Sequence, residues 1–273
     1  MRTVTISSGK GGVGKSNVAV NLGLALAQDG KRVLLFDADL GLANLDILFG
    51  FSSKRSVADI VDASHDIRDV LLDGPHGLRV LPASSGVLDL ERLSADQRLQ
   101  IIECIQEASE DFDLLIVDTG AGLTDNVLFF ASSADDVVIV TTPEPTAMAD
   151  SYALIKVLNR GKYSGRFTLL VNRVSDPAQG VAVHERLSSV SRRFLGVQLH
   201  FYGSLMHDAA LEAAVRLRQP VMVSHPNSTI AGAFRSLAGR FDEAFPTGEG
   251  MSGAGFWNRW LQNRTAERAA MRR

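Results

Sequence analysis

Apolar residues along the chain alternate between short runs and longer stretches of helical periodicity. The short runs are rich in Val, Ile and Leu, and they predict six strands. These are Thr3–Ile6, Arg32–Phe36, Leu114–Val117, Val137–Val140, Thr168–Val171 and Leu199–Tyr202. The amphipathic stretches between them predict helices, and such alternation is typical of βαβ units around a parallel sheet. We therefore expect an α/β fold with a doubly wound, mostly parallel sheet.

Two helices have ends that can be recognised in the sequence. The first has apolar residues at every fourth position from Val18 to Leu26, and we expect it to stop at Asp29-Gly30, because glycine suits a left-handed cap. A second helix is expected from Ser94 to Ala108. Before it, the punctuated apolar run from Leu78 to Leu90 predicts a strand followed by an excursion.

Length and composition indicate one large domain followed by a tail. The chain has 273 residues, of which 45% are hydrophobic and 22% charged, which is enough apolar material for one large core. We expect the domain over residues 1–245, a glycine-rich linker over 246–255 and a basic, aromatic tail over 256–273.

Net charge and cysteine content restrict the classes of function. The formal net charge of −3 gives no global attraction to nucleic acid or anionic lipid, so we expect no specific nucleic-acid binding, and any lipid binding must come from a local patch. Cys104 stands alone, which excludes an intramolecular disulfide and an iron–sulfur carrier, and its amphipathic setting predicts a buried thiol.

No apolar run reaches the ~20 residues of a membrane-spanning helix, and a strand begins within the first few residues. We therefore expect a cytoplasmic protein without a signal peptide.

The segment from Gly9 to Ser16 matches the phosphate-binding pattern G-x-x-x-x-G-K-[ST], between a predicted strand and a predicted amphipathic helix. In such a loop, backbone N–H groups converge on phosphate oxygens and the helix N-terminus adds partial positive charge. Lys15 is expected to reach the β and γ phosphates, and Ser16 to hold Mg²⁺. The chain is therefore predicted to be a P-loop NTPase with a nucleotide and Mg²⁺ as cofactors. The predicted nucleotide-binding residues here are Gly9, Lys10, Gly11, Gly12, Val13, Gly14, Lys15, Ser16 and Asn17.

Two aspartates at the ends of predicted strands are candidates for the chemistry of hydrolysis. Asp39 follows the second strand, at the sheet edge where open α/β folds bind ligands, and it is the candidate to position the attacking water and to join the metal site. Asp118 ends an apolar strand and is expected to hold Mg²⁺ with Ser16. Gly120 and Gly122 permit a loop that reorganises when the γ-phosphate leaves.

The sequence resembles the MinD/ParA family of deviant Walker A ATPases. Residues 10–16 match its K-G-G-x-G-K-[ST] motif, and residues 37–46 match its D-x-D-x-G-x-x-N-x-D switch. The matched switch positions are Asp37, Asp39, Gly41, Asn44 and Asp46. The resemblance implies that Lys10 reaches the partner's phosphates across an ATP-dependent homodimer and acts catalytically with Lys15 and Asp39. For Asp46, capping of a loop remains the favoured role.

The nucleotide base is expected to be adenine, which makes ATP the substrate. Guanine-specific P-loop proteins carry an N-K-x-D pattern where this chain has Arg173 and Ser175 in the lysine and aspartate positions. By resemblance, Asn172 is the predicted base contact, with Arg173 beside it.

Residues 118–124 and 143–156 resemble the FlhG or FleN branch of the family, which regulates flagellar number and placement. That resemblance implies the flagellar GTPase FlhF or a flagellar transcriptional activator as partner. The D-Q-A-x-x-L-R motif does not precede the first strand here, so we do not expect FlhF stimulation by that route. Three alternatives remain: a ParA-type partition ATPase, a division-site selection ATPase and a non-hydrolysing adaptor. The presence of Lys10, Asp39 and Asp118 together disfavours the adaptor.

The tail combines an aromatic cluster with arginines. Phe256, Trp257, Trp260 and Leu261 fall on one helical face, and arginines at positions 259, 264, 268, 272 and 273 accompany them. This composition predicts an amphipathic helix that binds an anionic membrane reversibly. A helix docked on the domain and a disordered end are the alternatives.

Overall fold

The computed structural model describes residues 1–39, 45–50, 55–61, 66–83 and 94–246. Their strands are β1 Arg2–Ser8, β2 Val33–Ala38, β3 Leu72–Asp73, β4 Arg79–Leu81, β5 Leu114–Ala121, β6 Asp136–Thr141, β7 Arg166–Val174 and β8 Leu199–Met206. Their α-helices are α1 Lys15–Gln28, α2 Leu45–Phe49, α3 Val57–Val61, α4 Ile67–Val70, α5 Ala95–Glu107, α6 Asp125–Ser133, α7 Pro145–Arg160, α8 Pro177–Leu195, α9 Ala209–Arg216, α10 Val221–Ser224, α11 Thr229–Gly239 and α12 Phe241–Ala244. Among these helices, none is long and apolar enough to cross a membrane.

The eight strands form one sheet in the order β3-β4-β2-β5-β1-β6-β7-β8. All neighbouring pairs are parallel except β3 and β4. β1 lies between β5 and β6, so the loop that follows it emerges at the middle of the carboxyl edge. The parallel register aligns Asp118 of β5 with Asp37 of β2 and with Ile6 of β1. The predicted doubly wound, mostly parallel sheet is confirmed.

Helices cover both faces of the sheet, because side chains of each strand alternate between two apolar layers. On β2, Leu35 belongs to the core that also contains α1 and Phe234 of α11. Its neighbours Leu34 and Phe36 face the opposite layer, where Phe36 meets Phe130 of α6 edge to face at 5.4 Å between ring centroids. Both faces of the central strands are therefore dry, as expected for a parallel sheet with hydrophobic strands.

Helix ends agree closely with the sequence. α1 ends at Gln28, and Gly30 follows with a φ of 88°. α5 runs from Ala95 to Glu107, with Ser94 and Gln97 forming a reciprocal capping box at its start.

Two expectations need correction or completion. Cys104 was expected to be buried but is only partly buried, because it lies at the margin of the α5 core, where partial burial raises the pKa of its thiol. The predicted strand near Leu78 is confirmed at β4, whereas its continuation over 84–90 lies outside the described residues. The edge strand β3, which has two residues and runs antiparallel to β4, was not expected from the sequence.

Candidate functional site

The phosphate loop occupies residues 9–14 between β1 and α1. Gly9 is required by a close approach, since a Cβ there would lie 2.2 Å from the backbone oxygen of Asp150 in α7. Gly14 has a φ of 92°, and a Cβ there would lie 2.4 Å from Nδ2 of Asn172. That same Nδ2 donates a 2.8 Å hydrogen bond to the backbone oxygen of Val13. The loop is therefore fixed from two sides, by α7 and by the end of β7.

Lys15 and Asp118 form a buried ion pair at the base of this loop. Lys15 Nζ lies 2.6 Å from Asp118 Oδ1 and 3.3 Å from Ser16 Oγ. The side chain of Lys15 is 7% exposed and that of Asp118 is fully buried. Among the described residues, Asp118 Oδ2 is buried and has no hydrogen-bond partner. The predicted phosphate lysine thus meets two of the three predicted metal ligands, Ser16 and Asp118, at one point.

This donor set fits a nucleotide bound as its magnesium complex. Mg²⁺ prefers oxygen ligands, and it is commonly held by one or two protein side chains together with phosphate oxygens and water. The unpartnered Asp118 Oδ2 and the Ser16 hydroxyl are oxygens of that kind. Within the described ranges, no group of three His, Cys, Asp or Glu residues forms a cage of its own. A cation here would depend on the phosphates for part of its coordination.

Asp37 and Asp39 lie at the end of β2 and have different surroundings. Asp37 is buried and its carboxylate accepts hydrogen bonds from the backbone N–H of Asp39 at 3.2 Å and of Leu45 at 3.1 Å. It therefore joins the two ends of residues 40–44, which lie outside the described residues. Asp39 is half-buried, and its Oδ1 would lie 3.4 Å from a Cβ built on Gly120 of β5. The candidate water-positioning carboxylate consequently faces the strand that carries Asp118.

Lys10 points away from the interior of the loop. Its Nζ lies 2.8 Å from Glu144 Oε2 and 2.9 Å from Thr146 Oγ1, at the start of α7. The hydrogen bond and the charge of Lys10 lower the pKa of Glu144. Sequence reasoning missed Glu144 and Thr146 as contacts of Lys10, although both fall in the 143–156 segment used for the family resemblance.

Asn172 is 3% exposed and both ends of its amide are engaged. Its Nδ2 contacts the phosphate loop, and its Oδ1 accepts a 2.9 Å hydrogen bond from the backbone N–H of Arg173. Arg173 is exposed and has a left-handed φ of 56°. The structure thus gives Asn172 a loop-positioning contact, while base recognition by Asn172 and Arg173 stays a prediction.

Some of the predicted features lie outside the described residues. They are Gly41, Asn44, the side chain of Asp46, the linker beyond Pro246 and the tail.

Comparison with known proteins places this site in a family. A family model described as an AAA domain matches residues 1–167, which span the phosphate loop, Asp39 and Asp118. The antiactivator FleN of Pseudomonas aeruginosa is 42% identical over 242 residues, covering 89% of this chain and 86% of FleN. The flagellum site-determining protein YlxH of Helicobacter pylori is 34% identical over 246 residues, covering 90% of this chain and 83% of YlxH.

A solved structure supports the same fold. The septum site-determining protein MinD of Pyrococcus horikoshii, solved in complex with Mg-ADP, superposes with a TM-score of 0.71 at 23% identity. The match covers 89% of this chain and 96% of that protein. With the sequence matches to FleN and YlxH, these findings show that the chain belongs to the MinD/ParA family of P-loop ATPases, in the branch that contains FleN.

Proposed function

We propose that this protein is an ATP-dependent dimerising switch with weak ATPase activity that regulates the number or placement of flagella. The observation that carries the proposal is the arrangement of its two loop lysines. Lys15 lies inside the loop with Asp118, whereas Lys10 faces outward. The general phosphate-loop pattern allows any residue at position 10, so a lysine there is not needed for the loop itself. A cation directed away from its own phosphate site is suited to a phosphate on another subunit.

Each candidate residue has a distinct task in the proposed reaction. Lys15 and the backbone N–H groups of the loop bind the β and γ phosphates, and Asp118 and Ser16 would hold Mg²⁺. When bound, Mg²⁺ neutralises charge on the phosphate oxygens. Asp39 positions the water for attack, with a contribution to the metal site through water. Lys10 of the partner subunit would add positive charge as the γ-phosphate leaves.

Lys10 must change partners for this reaction to occur. In the single chain its ammonium group is held by Glu144 and Thr146. Both groups are exposed, so this contact is weak and a highly charged phosphate can compete for the lysine. The exchange links ATP binding to dimerisation, and hydrolysis ends it by removing the γ-phosphate.

The names of two relatives support the proposed biological role, and the family resemblance supports the proposed partners. FleN is named an antiactivator and YlxH a flagellum site-determining protein, so a flagellar role is the one we infer for this chain. The matching partners are a flagellar transcriptional activator or the GTPase FlhF. We further propose that residues 1–245 form the ATPase domain, and that 256–273 bring the otherwise cytoplasmic protein reversibly to an anionic membrane.

The test uses Asp39→Ala with full-length protein and ATP. Loss of the water-positioning carboxylate should lower turnover roughly a hundredfold or more while ATP binding and dimerisation persist. Turnover is measured by phosphate release, and mass by sizing chromatography with light scattering. Asp29→Ala is the matched control, because Asp29 follows α1 and lies at the opposite edge of the sheet. A wild-type protein that stays monomeric with ATP would overturn the switch, and an Asp39→Ala variant with normal turnover would overturn the role of Asp39.

A further inference from the structure

The described chain ends at the edge of the sheet opposite the phosphate loop. Arg2 donates a hydrogen bond to the backbone oxygen of Phe245, and Arg166 donates one of 2.7 Å to the backbone oxygen of Ala244. Both arginines also face the buried carboxylate of Asp136, Arg2 at 2.6 Å and Arg166 at 3.9 Å. The described chain therefore ends beside the amino edge of β1 and β7.

Exposed cations surround the same edge. In a βαβ unit each helix ends where the next strand begins, so α7 and α8 both end here, and Asn159 Nδ2 joins them through a 3.2 Å hydrogen bond to the backbone oxygen of Leu195. The exposed basic side chains at these ends are Arg160, Lys162, Arg192 and Arg193. Within the described part of the chain, none of them makes an ion pair.

Few exposed carboxylates offset these cations. Asp135 and Asp136 are buried. On α12, Asp242 pairs with Lys31 and Glu243 is exposed, while the nearest carboxylate along α8 is Glu185, two turns before Arg193. The local charge around the ends of α7 and α8 is therefore positive, although the whole chain is acidic.

Phe194 adds an apolar group to this cluster. Its side chain is 64% exposed, and the guanidinium carbon of Arg193 lies 5.1 Å from its ring centroid. An exposed aromatic ring beside unpaired arginines is the combination that suits a membrane interface, where the ring enters the boundary region and the cations meet headgroups. We call Arg160, Lys162, Arg192, Arg193 and Phe194 the basic edge patch.

We propose that the basic edge patch binds an anionic lipid bilayer and holds the domain against the membrane beside the tail. This inference rests on the proposed membrane role of residues 256–273. Ten residues of chain span at most about 35 Å when fully extended, which bounds the distance between the chain end at 246 and residue 256. Arg166, which binds the backbone oxygen of Ala244, lies only four residues after Lys162 of the patch. The tail and the patch can therefore contact one surface together.

The test compares charge-neutral variants on vesicles of mixed phosphatidylglycerol and phosphatidylcholine, using full-length protein with ATP. Each cation lost should weaken binding roughly fivefold, so the double variant R192Q/R193Q should bind at least tenfold more weakly. The control R216Q/R218Q also removes two exposed charges, of which Arg216 pairs with Glu212. Both lie near the end of α9, where the backbone oxygen of Arg218 approaches Gly50 after α2. This control should bind as wild type does. Phe194→Ser should also weaken binding, with thermal melting and ATP affinity confirming that each variant is folded.

The outcomes separate this proposal from the tail. Wild-type vesicle binding by R192Q/R193Q overturns the patch, even if truncation after Gly255 releases the protein and so supports the tail. An equal loss of vesicle binding in R192Q/R193Q and R216Q/R218Q also overturns the patch, because the net charge of the protein would then explain the loss without a specific surface. A parallel titration with nonspecific duplex DNA gives the remaining test. If R192Q/R193Q loses DNA binding and keeps lipid binding, the patch is a nucleic-acid surface and the lipid assignment is wrong.

Discussion

The ion pair between Lys15 and Asp118 combines two roles at the residue scale. It belongs to the candidate phosphate and metal site, and it also neutralises a carboxylate that is fully buried. Removing one partner from a buried ion pair leaves an uncompensated charge and commonly lowers the free energy of unfolding by about 3–5 kcal/mol. That is a large share of the stability of a domain. Loss of ATP binding in a Lys15 variant is therefore ambiguous unless stability is measured as well.

A double-mutant cycle resolves that ambiguity. Lys15→Ala should abolish ATP binding and lower the free energy of unfolding by about 3 kcal/mol. Adding Asp118→Asn to it removes the buried charge, so much of the stability should return while ATP binding stays absent. Urea unfolding gives the stability and calorimetry gives the binding. A Lys15→Ala protein that binds ATP normally would contradict the site, and a double variant no more stable than the single one would contradict the charge argument.

Lys10 should behave differently from Lys15, because its ammonium group contacts Glu144 and Thr146 and not the interior of the loop. Lys10→Ala should keep ATP affinity within a few-fold of wild type and lose dimerisation and turnover. Lys31→Ala is the matched control, since Lys31 also forms an exposed ion pair, with Asp242, far from the site. A Lys10 variant that dimerises and hydrolyses ATP normally would show that this lysine is only a solvated loop residue.

At the scale of elements, the phosphate loop depends on its contact with α7. A methyl group on Gly9 would overlap the backbone of Asp150, and neither backbone segment can move without displacing the loop or the helix. Gly9→Ala should therefore lower the melting temperature without nucleotide, by an amount equivalent to about 1–3 kcal/mol of overpacking. Gly11→Ala is the control, because its Cβ would meet only Ala121 at 4.0 Å. Equal melting temperatures for the two variants would mean that α7 yields to the loop.

The sequence was sufficient to predict elements whose signals are local. The helix expected from Ser94 to Ala108 and the glycine after α1 matched the observed helix ends closely, and runs of β-branched residues marked the long strands. β3 carried no such signal, because it is only two residues long and exists through pairing with β4. Local patterns do not specify a pairing of that kind.

The candidate site was predictable wherever one motif contains its residues, as in the phosphate loop. The hydrogen bond between Lys10 and Glu144 spans 134 positions of the sequence, and no local pattern around either residue indicates the other as its partner. The contact between Asn172 and Val13 likewise depends on β7 lying two strands from β1. The partial burial of Cys104 also depends on packing at the edge of a core and not on the period of its helix.

At the scale of the whole molecule, the candidate nucleotide site and the proposed membrane surface lie at opposite edges of one sheet. The phosphate loop follows the carboxyl end of β1. Phe245, near the end of the described chain, lies beside Arg2 at the amino end of the same strand. A dimer that closes over ATP would leave both chain ends free to face away from the nucleotide. Two tails could then reach the same bilayer.

The final prediction is that ATP controls membrane binding through the number of tails. Burying Trp257, Trp260 and Leu261 at a bilayer surface contributes roughly a few kcal/mol of binding free energy. Each nearby arginine adds about 1 kcal/mol on an anionic leaflet, so we expect one tail to bind only marginally. Two tails on one dimer act bivalently, because the second binds from a high effective concentration. Co-sedimentation with anionic vesicles should therefore be strong with ATP, weak with ADP and weak on neutral vesicles. Asp39→Ala should remain bound after wild type has hydrolysed its ATP and dissociated. Sedimentation that is equal with ATP and ADP would reject the bivalent switch, and equal sedimentation of the chain truncated after Gly255 would reject the tail as the anchor.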